Sequence, residues 1–321
     1  MSGVKLVGLG YATGNQKVTN DDLAKIVDTN HEWIQSRTGI NSRYISTEEN
    51  TSDLAVRASI RAIEKSGLDQ EEIDCVIVAT FTPDSLTPAT ACLVQAKLGL
   101  TNPNIFAFDV NAACSGFLYA FNIADALLES KRVNTVLLLG ADVTSKVIDW
   151  QDRSTCILFG DGAGALILQR GDGRCEHIAH SSGDLQGHLQ LKSYPLIKDF
   201  KQTHPVESLS MNGNEVFRFA VKVMREAMEE MLEKVGCSLE DIDLLIPHQA
   251  NIRIINHVLK SYNFNRDKVL INLDQCGNTS AASIIMALAQ ADEENKLKVG
   301  SKILLVGFGA GFTWASTYIE L

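Results

Sequence analysis

Ile73-Asp74-Cys75-Val76-Ile77 is matched without a gap by Ile242-Asp243-Leu244-Leu245-Ile246, which lies 169 residues further along the chain. At the same offset, Glu64-Lys65-Ser66-Gly67 corresponds to Glu233-Lys234-Val235-Gly236. In both copies the pattern is that of a helix end followed by a short buried strand. One such match arises easily by chance, so a repeat is indicated only if further segments share the offset.

Two later segments continue this repeat. Val136–Gly140 aligns with Ile303–Gly307 at an offset of 167 residues. Between these strands, Asn111-Ala112-Ala113-Cys114 falls opposite Asn278-Thr279-Ser280-Ala281, also at 167. A nearly constant offset over three elements predicts two homologous halves related by a pseudo-twofold axis. Corresponding helix N-termini meet near such an axis, so we expect the two turns to face one pocket.

Strand-like and helix-like apolar spacing alternate along the whole chain, which is typical of an α/β protein. A first buried strand is expected at Val4–Gly8. Further buried strands are predicted at Asp74–Thr80, Val136–Gly140, Ala165–Leu168, Leu244–Pro247 and Ile303–Gly307, and helices at Thr51–Ser66, Phe217–Val235 and Ala282–Glu294.

The repeat divides the chain into three parts. Residues 1–171 form the first half, and the second half is expected at residues 211–321. The intervening residues 172–210 are polar, contain four histidines and show no clear pattern. We therefore predict that they are an insertion, forming a surface loop or a wall of a substrate channel.

Bulk composition limits the classes of function. The chain has 321 residues, a hydrophobic fraction of 45% and a formal net charge of −10. Nucleic-acid-binding proteins are usually basic, so that class is disfavoured. No apolar run approaches the length that spans a bilayer, and Met1–Leu9 is too short and too weakly basic for a signal peptide. We expect a cytoplasmic protein that binds neither nucleic acid nor membrane.

Cysteine and histidine usage points away from disulfides and metals. Seven cysteines occur, an odd number, and no CxxC pair is present. Neither a disulfide framework nor a structural zinc site is expected. The histidines at positions 31, 177, 180, 188, 204 and 257 show no metal-ligand spacing. We assign them no role and predict no metal site.

One cysteine has the setting of a nucleophile. Phe106–Phe117 has the pattern of a strand end, a turn of small residues and the start of an apolar helix. Cys114 falls at or near the helix N-terminus, where backbone N–H groups and the helix dipole favour a thiolate. Attack on a thioester also needs donors for the oxyanion. We expect the Cys114 N–H and an N–H of the glycine-rich stretch Gly307–Phe312 to supply them.

Two further polar residues suit the stabilisation of an enolate. His248 follows a predicted strand, and Asn278 lies in a small-residue turn before a helix. Each side chain can donate one hydrogen bond to a single oxygen. Decarboxylation of a malonyl thioester produces an enolate oxygen of this kind, and the enolate carbon then attacks the acyl carbon. A neutral imidazole is sufficient, because this reaction needs no strong base.

Six collinear motifs span essentially the whole chain. They are DTNHEWIQSRTGI (28–40), NAACSGF (111–117), FGDGAGA (159–165), PHQANIRII (247–255), GNTSAAS (277–283) and GFGAGFTW (307–314). In this order and spacing they resemble the β-ketoacyl-acyl-carrier-protein synthase III family. The resemblance implies a thiolase-like fold with duplicated αβαβα layers, and a homodimer. It also implies no cofactor beyond a CoA thioester substrate.

The resemblance assigns the central chemistry to three residues. Cys114 takes the acyl group from acyl-CoA, and His248 and Asn278 stabilise the decarboxylation of malonyl-acyl carrier protein (malonyl-ACP). The implied activity is initiation of type II fatty acid synthesis, giving 3-oxoacyl-ACP, CO2 and CoA, with acetyl-CoA as the expected primer. Phe308 matches an aromatic residue beside the histidine. Ala310 stands where the family usually has glycine, and it retains an oxyanion N–H if its φ is negative.

Substrate-binding positions also follow from the resemblance. Trp33 and Arg153 match residues that hold the CoA adenine between them, which is physically sensible for an indole and a guanidinium. Leu86 matches a position that contributes, across a dimer interface, to the far end of the acyl pocket. Its size favours a short or branched primer only weakly, so the primer preference stays open. The remaining positions along the CoA channel are Thr29, Arg37, Asn214 and Asn251.

Carrier-protein docking is implied at a basic surface. Arg218, Arg253 and Lys260 match basic residues near the channel mouth of the family. Ser261 falls where relatives carry a second lysine, which lowers the positive charge by one. A local basic cluster is needed for an acidic partner, since the net charge of the chain is −10.

Other functions remain as alternatives. The first is a related condensing enzyme of specialised metabolism with a different acyl donor or acceptor. A thiolase proper uses a second cysteine in the C-terminal half, but Cys276 lies before the Gly-Asn turn and is poorly placed. A hydroxymethylglutaryl-CoA synthase needs a glutamate near the nucleophile, and none closely precedes Cys114. A catalytically inactive acyl-CoA-binding scaffold is disfavoured by the intact Cys, His and Asn.

Overall fold

The computed structural model describes residues 3–193, 207–262 and 264–321. Its strands are β1 (Gly3–Thr13), β2 (Gln16–Thr19), β3 (Ser42–Ile45), β4 (Cys75–Ala79), β5 (Phe106–Val110), β6 (Thr135–Asp142), β7 (Gly162–Gly171), β8 (Arg174–Ser181), β9 (Leu189–Gln190), β10 (Ser210–Met211), β11 (Leu244–Pro247), β12 (Lys302–Gly309) and β13 (Thr313–Glu320). Its α-helices are α1 (Asn20–Leu23), α2 (His31–Thr38), α3 (Thr51–Ser66), α4 (Thr90–Leu98), α5 (Gly116–Glu129), α6 (Arg153–Cys156), α7 (Gly213–Val235), α8 (Ile252–Lys260), α9 (Leu273–Cys276) and α10 (Ala282–Glu293). None of the helices in these ranges is long and apolar enough to cross a bilayer.

Two sheets with equivalent topology form the framework. The first has the strand order β1-β7-β6-β4-β5 and the second β8-β13-β12-β11. In each sheet one equivalent pair (β4 with β6, β11 with β12) is parallel, and the next two pairings are antiparallel. The counterpart of β5 is reduced to one parallel bridge between Leu245 and Val269. The predicted duplication is therefore confirmed, strand by strand.

The hydrophobic cores stack the two halves into five layers. In the central core, α5 and α10 pack between the sheets, with Ile77 and Leu138 on one side and Ile246 and Leu305 on the other. The outer face of the first sheet is covered by α3 and α4. The outer face of the second sheet is covered by α7 and α8. Every apolar sheet face is thereby buried, as the predicted αβαβα arrangement requires.

The predicted insertion at residues 172–210 needs correction. Its first part, Arg174–Ser181, is strand β8, which pairs antiparallel with β13 over eight residues and is the counterpart of β1. The second half therefore begins at Arg174 and not at residue 211. The segment was missed because an edge strand of the sequence RCEHIAHS carries charged residues and has no continuous apolar run. Of the remaining residues, 194–206 lie outside the described ranges.

The predicted element boundaries are close to those observed. Helix α3 matches its prediction at both ends, and α10 ends one residue earlier than expected. Helix α7 starts at Gly213 and not at residue 217, because the Asn212 side chain caps it by accepting a hydrogen bond from the Glu215 N–H. The strands β1, β6, β7 and β12 extend beyond their apolar centres into glycine and polar residues.

Candidate active site

Two turns of nearly identical geometry lead into the central helices. Ala113 before α5 has φ 48° and Ser280 before α10 has φ 51°, both in the left-handed region. The Asn111 side-chain oxygen accepts a hydrogen bond from the Ala113 N–H at 3.1 Å. The Asn278 oxygen accepts the equivalent bond from the Ser280 N–H at 2.8 Å. Such Asx turns reverse the chain sharply and aim the following residue, Cys114 in the first turn, inward.

The predicted catalytic residues share one cavity. A space of about 140 Å³ is lined by Cys114, His248 and Asn278, together with Phe308 and the beginning of α7. An adjoining space of about 400 Å³ is also lined by Cys114, with Ala310 on its wall. Cys114 therefore lies where the two spaces meet, and side chains from distant parts of the chain converge on it.

His248 is held as a neutral ring. It follows β11, its ring is almost fully buried, and burial lowers the pKa of His248 to about 3. Its Nδ1 lies 2.7 Å from the Ser283 hydroxyl, and Phe308 makes an edge contact with a ring-centroid distance of 5.2 Å. If the Ser283 hydroxyl donates to Nδ1, the ring proton resides on Nε2, which is left to donate into the cavity.

Asn278 is fixed from three directions. Its N–H donates to the Leu158 carbonyl at 2.9 Å, and its carbonyl accepts from the Gly160 N–H at 3.0 Å. Because its side-chain oxygen already accepts from Ser280, the carboxamide NH2 is the group available as a donor to a ligand. With the His248 proton on Nε2, Asn278 and His248 each have an N–H group that can donate into the same space.

The ionisation state expected for Cys114 is wrong for the free protein. Cys114 lies in a 3-10 turn at Ala113–Ser115, with α5 beginning only at Gly116, and is 8% exposed. Burial raises the pKa of Cys114 to about 12, against a lowering contribution from the Ser280 hydroxyl; the buried Asp142 carboxyl raises it further. The apolar surroundings thus outweigh the helix terminus, and the Cys114 side chain is a thiol in the free protein.

The backbone around Cys114 is arranged for an oxyanion. A Cβ placed on Gly309 would come within 2.7 Å of the Cys114 nitrogen, so only glycine keeps that N–H approachable. Ala310 has a φ outside the left-handed region, and its methyl group is accommodated as expected. The positions predicted for oxyanion binding therefore lie on the cavity wall beside the sulfur.

The predicted adenine-binding residues Trp33 and Arg153 are in contact, and no space for a base is left between them. The Arg153 guanidinium carbon lies 4.6 Å from the Trp33 ring centroid, and that of Arg37 lies 5.8 Å from it. A base between Trp33 and Arg153 would need two van der Waals spacings, about 7–8 Å. Arg153 is held by a 2.7 Å hydrogen bond to the Asp28 carbonyl, so it must swing outward to admit a base.

The other predicted channel residues differ in their settings. The Thr29 hydroxyl is buried without a hydrogen-bond partner, and Thr29 lines neither cavity. Asn251 lines the smaller cavity and caps α8 by accepting from the Arg253 N–H at 2.9 Å. Asn214 is exposed in the first turn of α7 and lies outside both cavity walls, although its neighbour Gly213 is part of one.

The predicted docking residues lie on the surface near the smaller cavity. Arg253 lies 5.8 Å from the ring of Phe217, which is part of the cavity wall. Arg218, next to Phe217, is paired with Glu215 at 2.9 Å, and this ion pair reduces the positive potential that Arg218 contributes to the surface. Lys260 is exposed at the end of α8, seven residues beyond Arg253 and about 10 Å away along the helix.

Leu86 does not line either cavity of its own chain. Its side chain is 74% exposed in the loop before α4. Three other residues important to the site were not predicted: Ser283, Gly309 and Asp142. Ser283 and Gly309 lie inside motifs quoted above, but their contacts join segments that are far apart in sequence. Only Gly309 carried a signal, as part of the glycine-rich stretch.

Comparison with known proteins agrees with this geometry. The 3-oxoacyl-[acyl-carrier-protein (ACP)] synthase III family matches residues 108–185, and its C-terminal domain matches residues 232–321. A β-ketoacyl-[acyl-carrier-protein] synthase III of Clostridium perfringens is 46% identical and aligns over 100% of both chains. The crystal structure of 3-oxoacyl-[acyl-carrier-protein] synthase III from Aquifex aeolicus is 42% identical, with a TM-score of 0.91 over 99% of this chain and 100% of that one.

A solved structure from another pathway is also similar. The priming β-ketosynthase of the R1128 polyketide biosynthetic pathway is 34% identical, with a TM-score of 0.91 over 99% of this chain and 96% of that one. The full-length identities, the collinear motifs and the duplicated layers agree with one another. The chain therefore belongs to the β-ketoacyl-acyl-carrier-protein synthase III family of thiolase-fold condensing enzymes.

Proposed function

We propose that this chain condenses an acyl-CoA with malonyl-ACP through an acyl-Cys114 intermediate. Membership of its family makes it an acyltransferase that initiates fatty acid synthesis. The observation that carries the assignment of residues is that Cys114, His248 and Asn278 line the same cavity. CoA thioesters are substrates in this proposal, and no cofactor is invoked.

The first half-reaction is transfer of the acyl group to sulfur. The Cys114 sulfur bonds to the acyl carbon and the CoA thiolate leaves, taking up the proton that Cys114 loses. Because burial raises the pKa of Cys114 to about 12, this proton departs only once the thioester is in place. The tetrahedral oxyanion accepts from the N–H of Cys114, beside Gly309, and the N–H of Ala310 is the second expected donor.

The second half-reaction uses the other two side chains. The bond from the malonyl carbon to its carboxylate breaks, CO2 leaves, and the electron pair moves into an enolate. Nε2–H of His248 and the carboxamide of Asn278 donate to the enolate oxygen. The enolate carbon attacks the acyl carbon, and the departing Cys114 thiolate recovers a proton from solvent. A neutral His248 suits this role, because it is required only as a donor.

Substrate delivery is assigned to the two sides of the entrance. The CoA adenine would bind at Trp33, with Arg153 moving to its outer face and Arg37 alongside. The basic residues Arg218 and Arg253, with Lys260, are the docking surface for the acidic carrier protein. Neutralisation of Arg218 by Glu215 makes Arg253 the stronger contributor of the pair at the entrance.

We infer that the protein acts as a cytoplasmic homodimer without nucleic-acid or membrane partners. Strand β5 is at the edge of the first sheet, and Phe106 on it is 41% exposed and stacked on Phe108 at 5.7 Å. Pairing of two such edges would cover these rings and bring Leu86 toward the partner's acyl space. The seven cysteines are all free, which is usual in a reducing compartment.

A second candidate is a condensing enzyme of specialised metabolism. The observation that favours it is the similarity to the R1128 priming ketosynthase, at 34% identity. The two candidates share the same chemistry and differ in acyl donor or acceptor. Straight and branched acyl-CoA primers, each assayed with malonyl-ACP and malonyl-CoA, separate them. Highest turnover with a short or branched primer and malonyl-ACP supports fatty acid initiation, and preference for another donor or acceptor supports the alternative.

The assignment of the nucleophile has a direct test. Wild-type protein incubated with radiolabelled acetyl-CoA should acquire covalent label, and Cys114→Ser should not. Cys92→Ser is the matched control, because Cys92 is exposed and lies outside both cavities. Covalent label retained by Cys114→Ser would remove Cys114 from the mechanism.

A further inference from the structure

Three potential metal ligands meet at the junction of the two halves, away from the catalytic cavities. Cys175 and His177 lie two residues apart on β8, so their side chains point to the same face of the strand. Asp125 reaches them from α5. The ligand atoms all lie within 4.8 Å of one another, and no other such group occurs among the residues that the structure describes.

Two distances between these atoms match those of a tetrahedral zinc site. The Cys175 sulfur lies 3.3 Å from His177 Nε2, which lies 3.4 Å from an Asp125 carboxylate oxygen. Ligands at the usual zinc distances of about 2.3 Å for sulfur and 2.0–2.1 Å for nitrogen and oxygen are separated by about 3.5 Å (S to N) and 3.3–3.4 Å (N to O). These two distances thus need to change by only a few tenths of an ångström, and the Cys175 sulfur and the Asp125 carboxylate oxygen lie within 4.8 Å of each other.

The imidazole of His177 is already oriented for coordination. Its Nδ1 lies 2.9 Å from the hydroxyl of Thr317, its cross-strand neighbour on β13, and Phe121 contacts the ring edge with centroids 5.1 Å apart. With Nδ1–H donating to Thr317, the lone pair on Nε2 points toward Cys175 and Asp125. An outer hydrogen bond of this kind is the usual support of a metal-binding histidine.

The cluster opens into a space that admits ions. The cavity has a volume of about 430 Å³, and its wall contains four carboxylates and two basic side chains. One of the two, Lys234, is paired with Glu176 at 3.2 Å and also donates to the His177 carbonyl at 2.9 Å. The excess of carboxylates attracts cations, and the open side leaves room for water as a fourth ligand.

We propose that Asp125, Cys175 and His177 bind one divalent transition-metal ion, with zinc as the best match to this ligand set. On binding, the ion replaces the thiol proton of Cys175, which passes to solvent. The site ties α5 of the first half to β8 of the second. Asp125 is nine residues beyond the start of α5, about 14 Å along the helix, and is remote from Cys114. The proposed role of the ion is therefore structural. Histidine and cysteine spacing in the sequence predicted no metal site, and this proposal replaces that prediction.

Zinc binding to the full-length protein tests this proposal. After treatment with a chelator, the wild type should bind one equivalent of Zn²⁺ in equilibrium dialysis, and Co²⁺ should produce thiolate-to-metal absorption. Cys175→Ser, His177→Asn and Asp125→Asn should each weaken binding at least tenfold. Thr317→Val, which keeps the side-chain shape, should weaken it about 10- to 100-fold by releasing Nδ1.

Two control variants locate the ion. Cys92→Ser should bind like the wild type, because Cys92 is exposed and outside the cluster. Cys114→Ser should also retain one equivalent, and loss of binding in this variant would place the ion in the catalytic cavity and overturn the proposal. A wild type that binds less than one-tenth of an equivalent, or that shows no thiolate band with Co²⁺, would overturn it as well.

Discussion

The turn before α5 and the turn before α10 have the same backbone conformation but different neighbours. Both contain a left-handed residue and an Asx turn, at equivalent positions of the repeat. In the second turn, the Ala281 N–H donates to an Asp142 carboxylate oxygen at 3.1 Å. The residue equivalent to Asp142 in the second half is Gly309, which faces the N–H of Cys114 and has no side chain to accept it.

The two turns explain how a duplicated fold acquires a single active site. The repeat supplies two rigid turns, and the residues beside them determine what each can do. Where Asp142 binds the backbone N–H, the turn is structural at Ala281, and Asn278 is the residue of this turn that we propose as a donor. Where Gly309 replaces the acid, the N–H of Cys114 stays approachable for the oxygen of a substrate.

Filling the space beside the first turn should have the largest effect. In Gly309→Ala, the new Cβ would lie 2.7 Å from the Cys114 nitrogen and 3.1 Å from the Ser115 nitrogen, so the oxyanion donor is displaced. We expect kcat/KM for condensation to fall by about 10²- to 10³-fold. Gly183→Ala is the matched control, because a Cβ there meets no atom within 4 Å. Near-wild-type activity in a folded Gly309→Ala protein would contradict the assigned role.

Removing the acid beside the second turn should reduce stability more than chemistry. Asp142 is fully buried and also accepts from the backbone and hydroxyl groups of Thr82 and from the Thr80 hydroxyl. In Asp142→Asn, the carboxamide oxygen can serve the Thr80 and Thr82 donors, but the NH2 group then faces the Ala281 N–H, which loses its acceptor. We expect the free energy of unfolding to drop by about 2–3 kcal/mol, measured by chemical denaturation. Unchanged stability would mean that the second turn does not depend on this acid.

Removing the Ser283 hydroxyl that contacts His248 should lower activity less, and only in one half-reaction. Ser283→Ala removes the 2.7 Å contact to His248 Nδ1, so the ring loses its fixed tautomer. We expect malonyl-ACP decarboxylation to slow about tenfold, the equivalent of one neutral hydrogen bond, while acyl transfer to Cys114 is unchanged. The control is Ser59→Ala, which removes another buried helical serine hydroxyl, bonded to the Ala55 carbonyl. An equal loss in both half-reactions would refute a role confined to His248.

A change of pH should have the least effect on the rate of malonyl-ACP decarboxylation. Burial lowers the pKa of His248 to about 3, so its ring stays neutral and keeps its donor role as the solution is acidified well below pH 6.5. Protonation would remove the tautomer supported by Ser283 only near the lowered pKa. Decarboxylation of malonyl-ACP should therefore be nearly constant between about pH 5 and 8. A loss of rate with a midpoint near 6.5 that His248→Ala abolishes would show that the ring titrates as if exposed.

The position of the cavity was predictable because short sequence segments determine the turns that surround it. The repeat and the small-residue turns before α5 and α10 are visible in short segments, and they led correctly to one pocket containing Cys114, His248 and Asn278. The ionisation of Cys114 was not predictable in this way. Its pKa depends on burial by the walls of the cavity, which come from both halves of the chain, and not only on the helix that follows it.

Contacts between distant segments account for the other differences. Strand β8 is recognisable only from its pairing with β13, since its own residues are mostly polar. Ser283 and His248 are 35 residues apart, and nothing in either motif indicates that they are partners. The cluster of Asp125, Cys175 and His177 likewise forms only when the two halves pack together. Leu86 remains a prediction that depends on a second copy of the chain.

The roles of Cys114, His248 and Asn278 can be separated by measuring the two half-reactions in one set of proteins. His248→Ala, Asn278→Ala and wild type would each be incubated with acetyl-CoA, to measure acetylation of Cys114 by intact mass, and with malonyl-ACP, to measure CO2 release. The arrangement of the cavity predicts that both variants become acetylated like the wild type but release CO2 at least about 10²-fold more slowly. Wild-type CO2 release by either variant, or failure of both to accept the acetyl group, would contradict the division of roles between the sulfur and the paired donors.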